Sequence, residues 1–207
     1  MNLTVLRLLL CLSVASAALA VNTPADLPQD WGNDIKDFKI NDTFLGMSKA
    51  AVTNASTQYR ALQPPESNLD VLSYLVVAVS EDKVGIGNAR PDVTINVIKN
   101  VFFNQNQQVV AIEMVFTNLD ADKRRYALDR LDNKYDTLPT AKKDFYRYSV
   151  SPSILLETTV VPTDSDTSIF LESRPTEFTI RNFYYHKAKY REALQKTKKQ
   201  VVLDDLI

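Results

Sequence analysis

The sequence predicts an α+β fold in which helices pack on an antiparallel sheet. Two patterns support this prediction. Several segments alternate apolar and polar residues, as half-buried strands do, and other segments repeat apolar residues at helical spacing before, between and after them. In composition, 45% of the 207 residues are apolar and 24% are charged, which is typical of a globular protein with a buried core.

The N-terminal segment 1–20 has the layout of a secretory signal peptide. Arg7 precedes an apolar stretch that contains no charge, and the tripeptide Ala-Leu-Ala at 18–20 offers a cleavage site between small residues. The apolar stretch is too short to span a bilayer, which takes about 20 residues. We therefore expect an exported protein, periplasmic or secreted, whose mature chain begins at Val21 and lacks the only cysteine, Cys11.

The first predicted helix begins after Ser48. Ser48 is a favourable N-cap residue, and Met47 and Val52 stand where a hydrophobic staple needs them. Apolar residues then continue at helical spacing to Leu62, and Pro64 cannot continue a helix. We therefore expect this helix to extend to about Leu62.

Three strands are predicted after this helix. The last of them shows the alternation most clearly, because every second residue from Val110 to Phe116 is strongly apolar and the intervening residues include Glu113. The last two strands form a hairpin around 104–107. The predicted strands cover 71–79, 92–103 and 108–117.

The second part of the chain repeats this order of elements. A helix is followed by a charged loop that contains Arg147, by three more strands and by a last helix with many basic residues. The predicted bounds are 121–135 for the helix, 153–161, 167–173 and 177–185 for the strands, and 187–199 for the last helix.

The repeated order suggests two similar units. We divide the chain into a signal peptide (1–20), a flexible leader (21–37), a first helix-plus-sheet unit (38–118) and a second unit with the C-terminal helix (119–207). The leader is polar and holds two prolines and a glycine, with Trp31 tucked against the body. The pattern leaves two arrangements open: one continuous sheet with both unit helices on one face, or two small subdomains.

The segment 45–52, with the sequence LGMSKAAV, and the strands after it resemble the start of the small bacterial envelope proteins of the SmpA/OmlA type. Two tandem units of this kind are similar to the architecture of β-lactamase-inhibitor proteins. The resemblance implies a non-enzymatic envelope protein and assigns no functional residue. The chain departs from the pattern because it lacks a lipid-attachment signal, and because Gln-Pro-Pro at 63–65 replaces the usual Gly-x-Pro.

The composition argues against several kinds of chemistry. One histidine, His186, and one cysteine leave few residues for a zinc site, a haem or a nucleophilic triad. The glycines at 85 and 87 are followed by neither a third glycine nor a predicted helix, so they predict no dinucleotide site. The acidic stretch 164–168 lacks the glycine and glutamate of an EF-hand. The net charge of −1 gives no case for nucleic acid. We therefore predict no catalytic residue, no metal site and no cofactor.

Adjacent aromatic residues on the predicted strands indicate a binding surface. Neighbours in a strand point to opposite faces, so one member of each pair belongs to the face that helices leave uncovered. Exposed aromatic rings are typical of protein interfaces, and the basic last helix would lie at the rim. The predicted binding residues are Phe102, Phe103, Tyr184, Tyr185, Lys189, Lys196, Lys198 and Lys199.

We thus expect an exported, non-catalytic binding or envelope-associated protein that recognises a protein partner through an aromatic sheet face. Two alternatives remain open. One is a secreted hydrolase that uses carboxylates or a Ser/Lys pair, which requires convergent groups in a pocket. The other is a protein that binds an anionic surface through its basic C-terminal helix. An aromatic core buried on both faces would explain the same rings without a partner.

Overall fold

The computed structural model describes residue 27 and residues 29–80, 93–163 and 175–204, with the backbone alone for 77–80, 93–95 and 199–204. Within these residues, eight strands form one antiparallel sheet that three α-helices accompany, which confirms the predicted α+β fold. The strands are β1 (Arg60–Leu62), β2 (Asp70–Ser80), β3 (Val93–Phe103), β4 (Val109–Leu119), β5 (Asp136–Leu138), β6 (Phe145–Ser149), β7 (Ile154–Pro162) and β8 (Phe178–His186). The helices are α1 (Lys49–Ala55), α2 (Ala121–Lys134) and α3 (Lys187–Asp204).

The sheet consists of two four-stranded halves that meet at its centre. The strand order is β1-β2-β3-β4-β8-β7-β6-β5. Each half follows one helix: α1 precedes the strands β1 to β4, and α2 precedes the strands β5 to β8. The halves join where β4 pairs with β8. The chain therefore forms one continuous sheet, which is the first of the two arrangements that the sequence left open.

The strand register assigns the side chains of the sheet to two faces. We call the face that α1 and α2 cover the back face. α2 packs there through Leu131, which is buried against two members of the row below. α1 lies on the same face, since the Nζ of Lys49 is 5.6 Å from the centre of the Phe103 ring. A cross-strand row on the back face consists of Val101, Ile112, Tyr184, Leu156 and Tyr148.

The opposite face of the sheet, which we call the front face, carries α3 at one end. The Tyr190 ring of α3 lies 5.3 Å from the ring centres of both Phe183 and Tyr185. These two residues flank Tyr184 in β8 and so point to the other side of the sheet. The three helices therefore do not share one face: α1 and α2 cover the back face, and α3 lies against part of the front face.

The first helix is shorter than the sequence predicted. Ser48 is its N-cap, as expected. The helix ends at Ala55 and β1 follows, so the prediction of a helix that continues to Leu62 is wrong. Ser56 and Thr57 have low helix propensity. The backbone of β1 also gains hydrogen-bond partners in β2, which a continued helix would not provide.

The charged loop that was predicted to include Arg147 is shorter than expected, because β6 begins at Phe145 and contains Arg147. β5, which precedes this loop, was not predicted. In β6 the residues alternate between the faces: Tyr146 and Tyr148 lie on the back face and Arg147 lies on the front face. This alternation covers only five residues and contains one charge, so it is weak as a strand signal. Pairing with β7 is what fixes the segment in the sheet.

The two remaining helices agree better with their predictions. α2 begins after the N-cap Asp120 and ends one residue before the predicted limit of 135. α3 begins at Lys187, as predicted, and extends beyond 199 to Asp204. In the described part of the chain, no helix is both long and apolar enough to cross a membrane. The strand predicted over 167–173, the acidic stretch 164–168 and the signal peptide lie outside the described residues.

The described part of the leader is packed against the sheet, which differs from the flexible leader that the sequence suggested. Trp31 is 2% exposed and Ile35 is fully buried. The Asp34 carboxylate accepts a hydrogen bond from the Ser151 hydroxyl at 2.5 Å and one from the Ser153 backbone N–H at 2.8 Å. These bonds tie the leader to the turn between β6 and β7.

Candidate functional site

The front face carries a row of polar side chains with one aromatic ring near its centre. Strand pairing places the members side by side on six neighbouring strands, in the sheet order β2-β3-β4-β8-β7-β6. We call them the front-face row: Ser73, Asn100, Glu113, Phe183, Glu157 and Arg147. The two glutamates therefore occupy the strands on either side of β8, each directly opposite the phenylalanine.

Glu113 is held by a chain of hydrogen bonds that begins two strands away. The Ser73 hydroxyl donates to Asn100 Oδ1 at 2.7 Å, and the Asn100 amide donates to Glu113 Oε2 at 2.7 Å. On its other side, Glu113 Oε1 lies 3.8 Å from Arg181 Nη1. The Glu113 side chain is 14% exposed and that of Arg181 is 56% exposed. The carboxylate is thus fixed in the sheet, while its cationic partner reaches solvent.

Glu157 is fixed by a different pair of groups. Its Oε1 accepts a hydrogen bond from the Tyr185 hydroxyl at 3.0 Å and lies 3.3 Å from Arg147 Nε. Burial raises the pKa of Tyr185, and the negative charge of Glu157 raises it further. The phenol therefore stays a neutral donor. Each glutamate of the row is held in this way by one neutral donor and one arginine.

Aromatic rings surround the centre of the row. The ring centre of Phe183 lies 5.5 Å from those of Phe102 and Tyr185. Tyr190 completes this group from α3, and burial raises its pKa, with the charges of Glu157 and Glu113 acting in the same direction. The Tyr190 ring is therefore close enough to both carboxylates for their charges to act on its hydroxyl group. We call Phe102, Phe183, Tyr185 and Tyr190 the aromatic cluster.

The chemistry of this arrangement suits recognition better than proton transfer. The charges of the two carboxylates are balanced by those of two guanidinium groups. Three rings of the aromatic cluster are partly exposed, those of Phe183, Tyr185 and Tyr190. Both carboxylates already accept hydrogen bonds from the protein. Across the described ranges, no group of three or more His, Cys, Asp or Glu side chains is placed to hold a metal ion. Aromatic and arginine side chains fixed in one conformation are typical of the energetic centres of interfaces.

The structure separates the aromatic residues that the sequence predicted as a binding surface. Phe102 and Tyr185 belong to the aromatic cluster on the front face. Phe103 is 1% exposed and lies on the back face. Tyr184 also lies there, with its ring centre 5.4 Å from that of Phe38, the residue that follows the leader. A partner on the front face therefore contacts neither Phe103 nor Tyr184.

The predicted lysines lie on α3, outside the front-face row. Lys189 pairs with Asp30 of the leader. The Nζ of Lys196 lies 2.7 Å from a carboxylate oxygen one turn earlier in the helix. Lys198 is exposed, and the side chain of Lys199 is outside the described residues. Two of the four lysines expected at the rim are therefore engaged by acidic groups of the protein itself.

The sequence did not predict the charged members of the row, although a signal for them exists. Glu113 and Glu157 are the single charged residues of two strongly apolar strands. A charge in the middle of such a strand is costly unless a partner is close. Their partners Arg147 and Arg181 come from other strands, so only the register identifies them.

One lysine does lie against a hydroxyl group, but on the back face. The Nζ of Lys99 donates a hydrogen bond to Thr43 Oγ1 at 2.6 Å, and both residues are fully buried. A hydrolase that uses a hydroxyl and a lysine needs an opening through which the substrate reaches the hydroxyl. This pair has no such opening and therefore does not provide a hydrolase site.

Comparison with known proteins adds no relative. No protein family, no curated protein and no solved structure matches the chain. The resemblance to envelope proteins of the SmpA/OmlA type and to β-lactamase-inhibitor proteins therefore stays a prediction.

Proposed function

We propose that this chain is an exported, non-catalytic binding protein that recognises a protein partner through the front face of its sheet. The observation that carries the proposal is the front-face row, in which two carboxylates are fixed on either side of Phe183 within an aromatic cluster. The signal-like segment 1–20 is the basis for export.

Three features of the front face favour a protein partner. Its aromatic rings and arginines are the side chains that most often dominate the energy of protein interfaces. Its charges are held by neighbours before any partner arrives, so little conformational entropy remains to be lost on binding. Its charges also alternate in sign from one strand to the next, from Glu113 on β4 through Arg181 on β8 and Glu157 on β7 to Arg147 on β6. This favours a partner with a matching pattern of charges over a uniformly charged surface.

Site-specific photo-cross-linking in the cells that express the protein tests this proposal. Val161 lies on the front face, four positions along β7 from Glu157 of the row, and is 46% exposed. Tyr126 of α2 is 62% exposed and provides a matched control away from the front face. We expect a photo-reactive residue at 161 to capture one reproducible protein and the same residue at 126 not to capture it. Equal capture at both positions, or capture of nothing from 161, would contradict the proposal.

Once the partner is identified, the contribution of single front-face residues to its binding affinity can be measured. We expect Phe183→Ala to weaken binding at least about tenfold, because it removes the ring between the two glutamates. Arg181→Ala is a second variant whose binding affinity can be measured. The Arg181 side chain is mostly exposed, so the variant should fold normally. Tyr126→Ala is the control. Unchanged affinity in both front-face variants would place the interface elsewhere on the molecule.

A further inference from the structure

A polar cleft lies beside α3, apart from the front-face row. Three segments that are distant in sequence form it: the leader turn with Trp31, the turn between β3 and β4, and the middle of α3. Its volume is about 280 Å³. Pockets for drug-sized ligands have volumes of roughly 300–1,000 Å³, so this cleft suits a smaller molecule. We call it the α3 cleft.

The turn between β3 and β4 contributes four residues with amide side chains to the lining of the α3 cleft: Asn104, Gln105, Asn106 and Gln108. The Asn104 amide donates to Gln108 Oε1 at 3.3 Å. An amide side chain carries both a donor and an acceptor, which matches the dual character of a hydroxyl group. The turn is also rigid: Asn104 Oδ1 accepts a hydrogen bond from the Gln108 backbone N–H at 3.0 Å, and the Asn104 backbone N–H donates to the Gln108 carbonyl at 3.0 Å. This wall is therefore formed before any ligand enters.

The charged groups of the α3 cleft compensate one another. Lys189 pairs with Asp30, and Lys196 Nζ lies 2.7 Å from Glu192 Oε1. An ionic ligand would have to compete with these internal pairs. A neutral ligand can bond to them without separating them, because an ammonium group has three donors and a carboxylate has several acceptor positions.

Trp31 limits how the ligand is held. Its ring packs edge to face on the His186 ring, with centres 5.2 Å apart, and only 2% of the residue is exposed. A ligand can touch the edge of the indole but cannot stack on its face. Binding in this cleft must therefore depend on hydrogen bonds rather than on aromatic stacking.

We infer that the α3 cleft binds a small, uncharged, hydroxyl-rich molecule of the size of one or two sugar rings. The amide wall, the balanced ion pairs and the volume all match this class of ligand. The inference does not depend on the proposed partner of the front face, because the two sites share no side chain, although α3 contributes to both.

Trp31 makes the inference directly testable, because it is the only tryptophan of the chain. The purified protein is titrated with glucose, galactose, mannose and N-acetylglucosamine, and separately with glycine, glutamate and lysine, while tryptophan fluorescence is recorded and calorimetry provides a second readout. We expect a saturable response to at least one sugar and none to the amino acids. Asn106→Ala and Gln108→Ala should weaken the response about tenfold, whereas Lys198→Ala, which lies on α3 but outside the cleft, should not.

Three results would overturn the inference. They are the absence of a saturable response to any of the sugars, a response to the amino acids alone, and a sugar response that persists in both amide variants. Circular dichroism and the thermal midpoint of each variant show whether it is folded. Asn106 is exposed at the tip of a turn, so its replacement should leave the fold intact.

Discussion

The two faces of the sheet are made from alternate residues of the same strands, yet they are used differently. At the back face, Val101, Ile112 and Leu156 form a fully buried apolar row beneath the helices. One position along each strand, the front-face row places Asn100, Glu113 and Glu157. The back face thus gains stability from burial, whereas the front face presents paired polar groups and partly exposed rings.

This difference shows which face the fold depends on. Burying an apolar side chain contributes about 1.5–3 kcal/mol, whereas a partly exposed ion pair contributes about 0–1 kcal/mol. The pairs at Glu113 and Glu157 therefore add little to the stability of the sheet. Their ordered arrangement is what the proposed recognition through the front face would use. Variants that distinguish the two faces can test which face the fold depends on.

The largest expected effect comes from two neighbouring residues of β7. Leu156 is fully buried on the back face, and Glu157 lies on the front face. We expect Leu156→Ala to lower the free energy of unfolding by about 2–5 kcal/mol, because it leaves a cavity beneath α2. Glu157→Gln should change it by less than about 1 kcal/mol, since the amide oxygen can still accept from Tyr185. Urea unfolding of both variants measures this, and equal losses would contradict the division between the faces.

Lys99 is a cationic side chain on the back face, where the described part of the sheet also buries the neutral polar residues Thr158 and Asn182. It is fully buried between Val97 and Val101 on that face, and burial lowers its pKa from 10.5 to about 8. Below pH 8 both the folded and the unfolded protein hold the proton, and the full cost of a buried charge is present. Between pH 8 and 10.5 the folded protein releases the proton first, so stability rises with pH, by about 3 kcal/mol in total.

Lys99→Met isolates this contribution. The methionine does not titrate. The variant also lacks the hydrogen bond from Lys99 to Thr43, but this loss is the same at every pH. We therefore expect the variant to gain its greatest advantage over the wild type below pH 8, and that advantage to shrink as the pH approaches 10.5. The measurement is the difference between urea unfolding curves of the two proteins across this range. A difference that is constant with pH would mean that Lys99 is not buried as a charge.

The elements that were predicted well are those with a strong local pattern. The strand that contains Glu113 has a strongly apolar residue at every second position from Val110 to Phe116. The helix α2 has a clear N-cap at Asp120 and a proline after its end, Pro139. The short edge strands β1 and β5 have no such pattern, because three residues are too few to alternate visibly. They form because a neighbouring strand offers hydrogen-bond partners, and the sequence does not reveal that neighbour.

The candidate site was less predictable for a related reason. Phe102 and Tyr185 could be proposed from their own strands, and both lie in the aromatic cluster. The row itself depends on the register of six strands, in which Glu113 meets Asn100 and Glu157 meets Arg147. A shift of one residue in any pairing would send these side chains to the opposite face. Register is a tertiary property, so no pattern within one segment reveals it.

His186 connects the two faces and gives the smallest predicted effect. It ends β8 and caps α3: its Nδ1 accepts hydrogen bonds from the N–H groups of Ala188 and Lys189 at 3.1 Å. Its Nε2 lies 3.0 Å from the Trp31 carbonyl oxygen and therefore carries the proton as a donor. A second proton at Nδ1 would break the cap of the helix that lies against the front face.

Burial lowers the pKa of His186 below 6.5, and the positive charge of Lys189 acts in the same direction. Below pH 6.5 the histidine of the unfolded chain is protonated while that of the folded chain is still neutral. The free energy of unfolding therefore falls as the pH drops, and it levels off once the folded histidine is protonated as well. His186→Asn retains a capping side chain without titrating. We expect its unfolding free energy to lose this pH dependence, whereas His186→Ala should lose about 1 kcal/mol even above pH 6.5. Because this is the only histidine of the chain, parallel pH profiles for the wild type and the asparagine variant would show that the α3 cap does not titrate and that acid acts elsewhere.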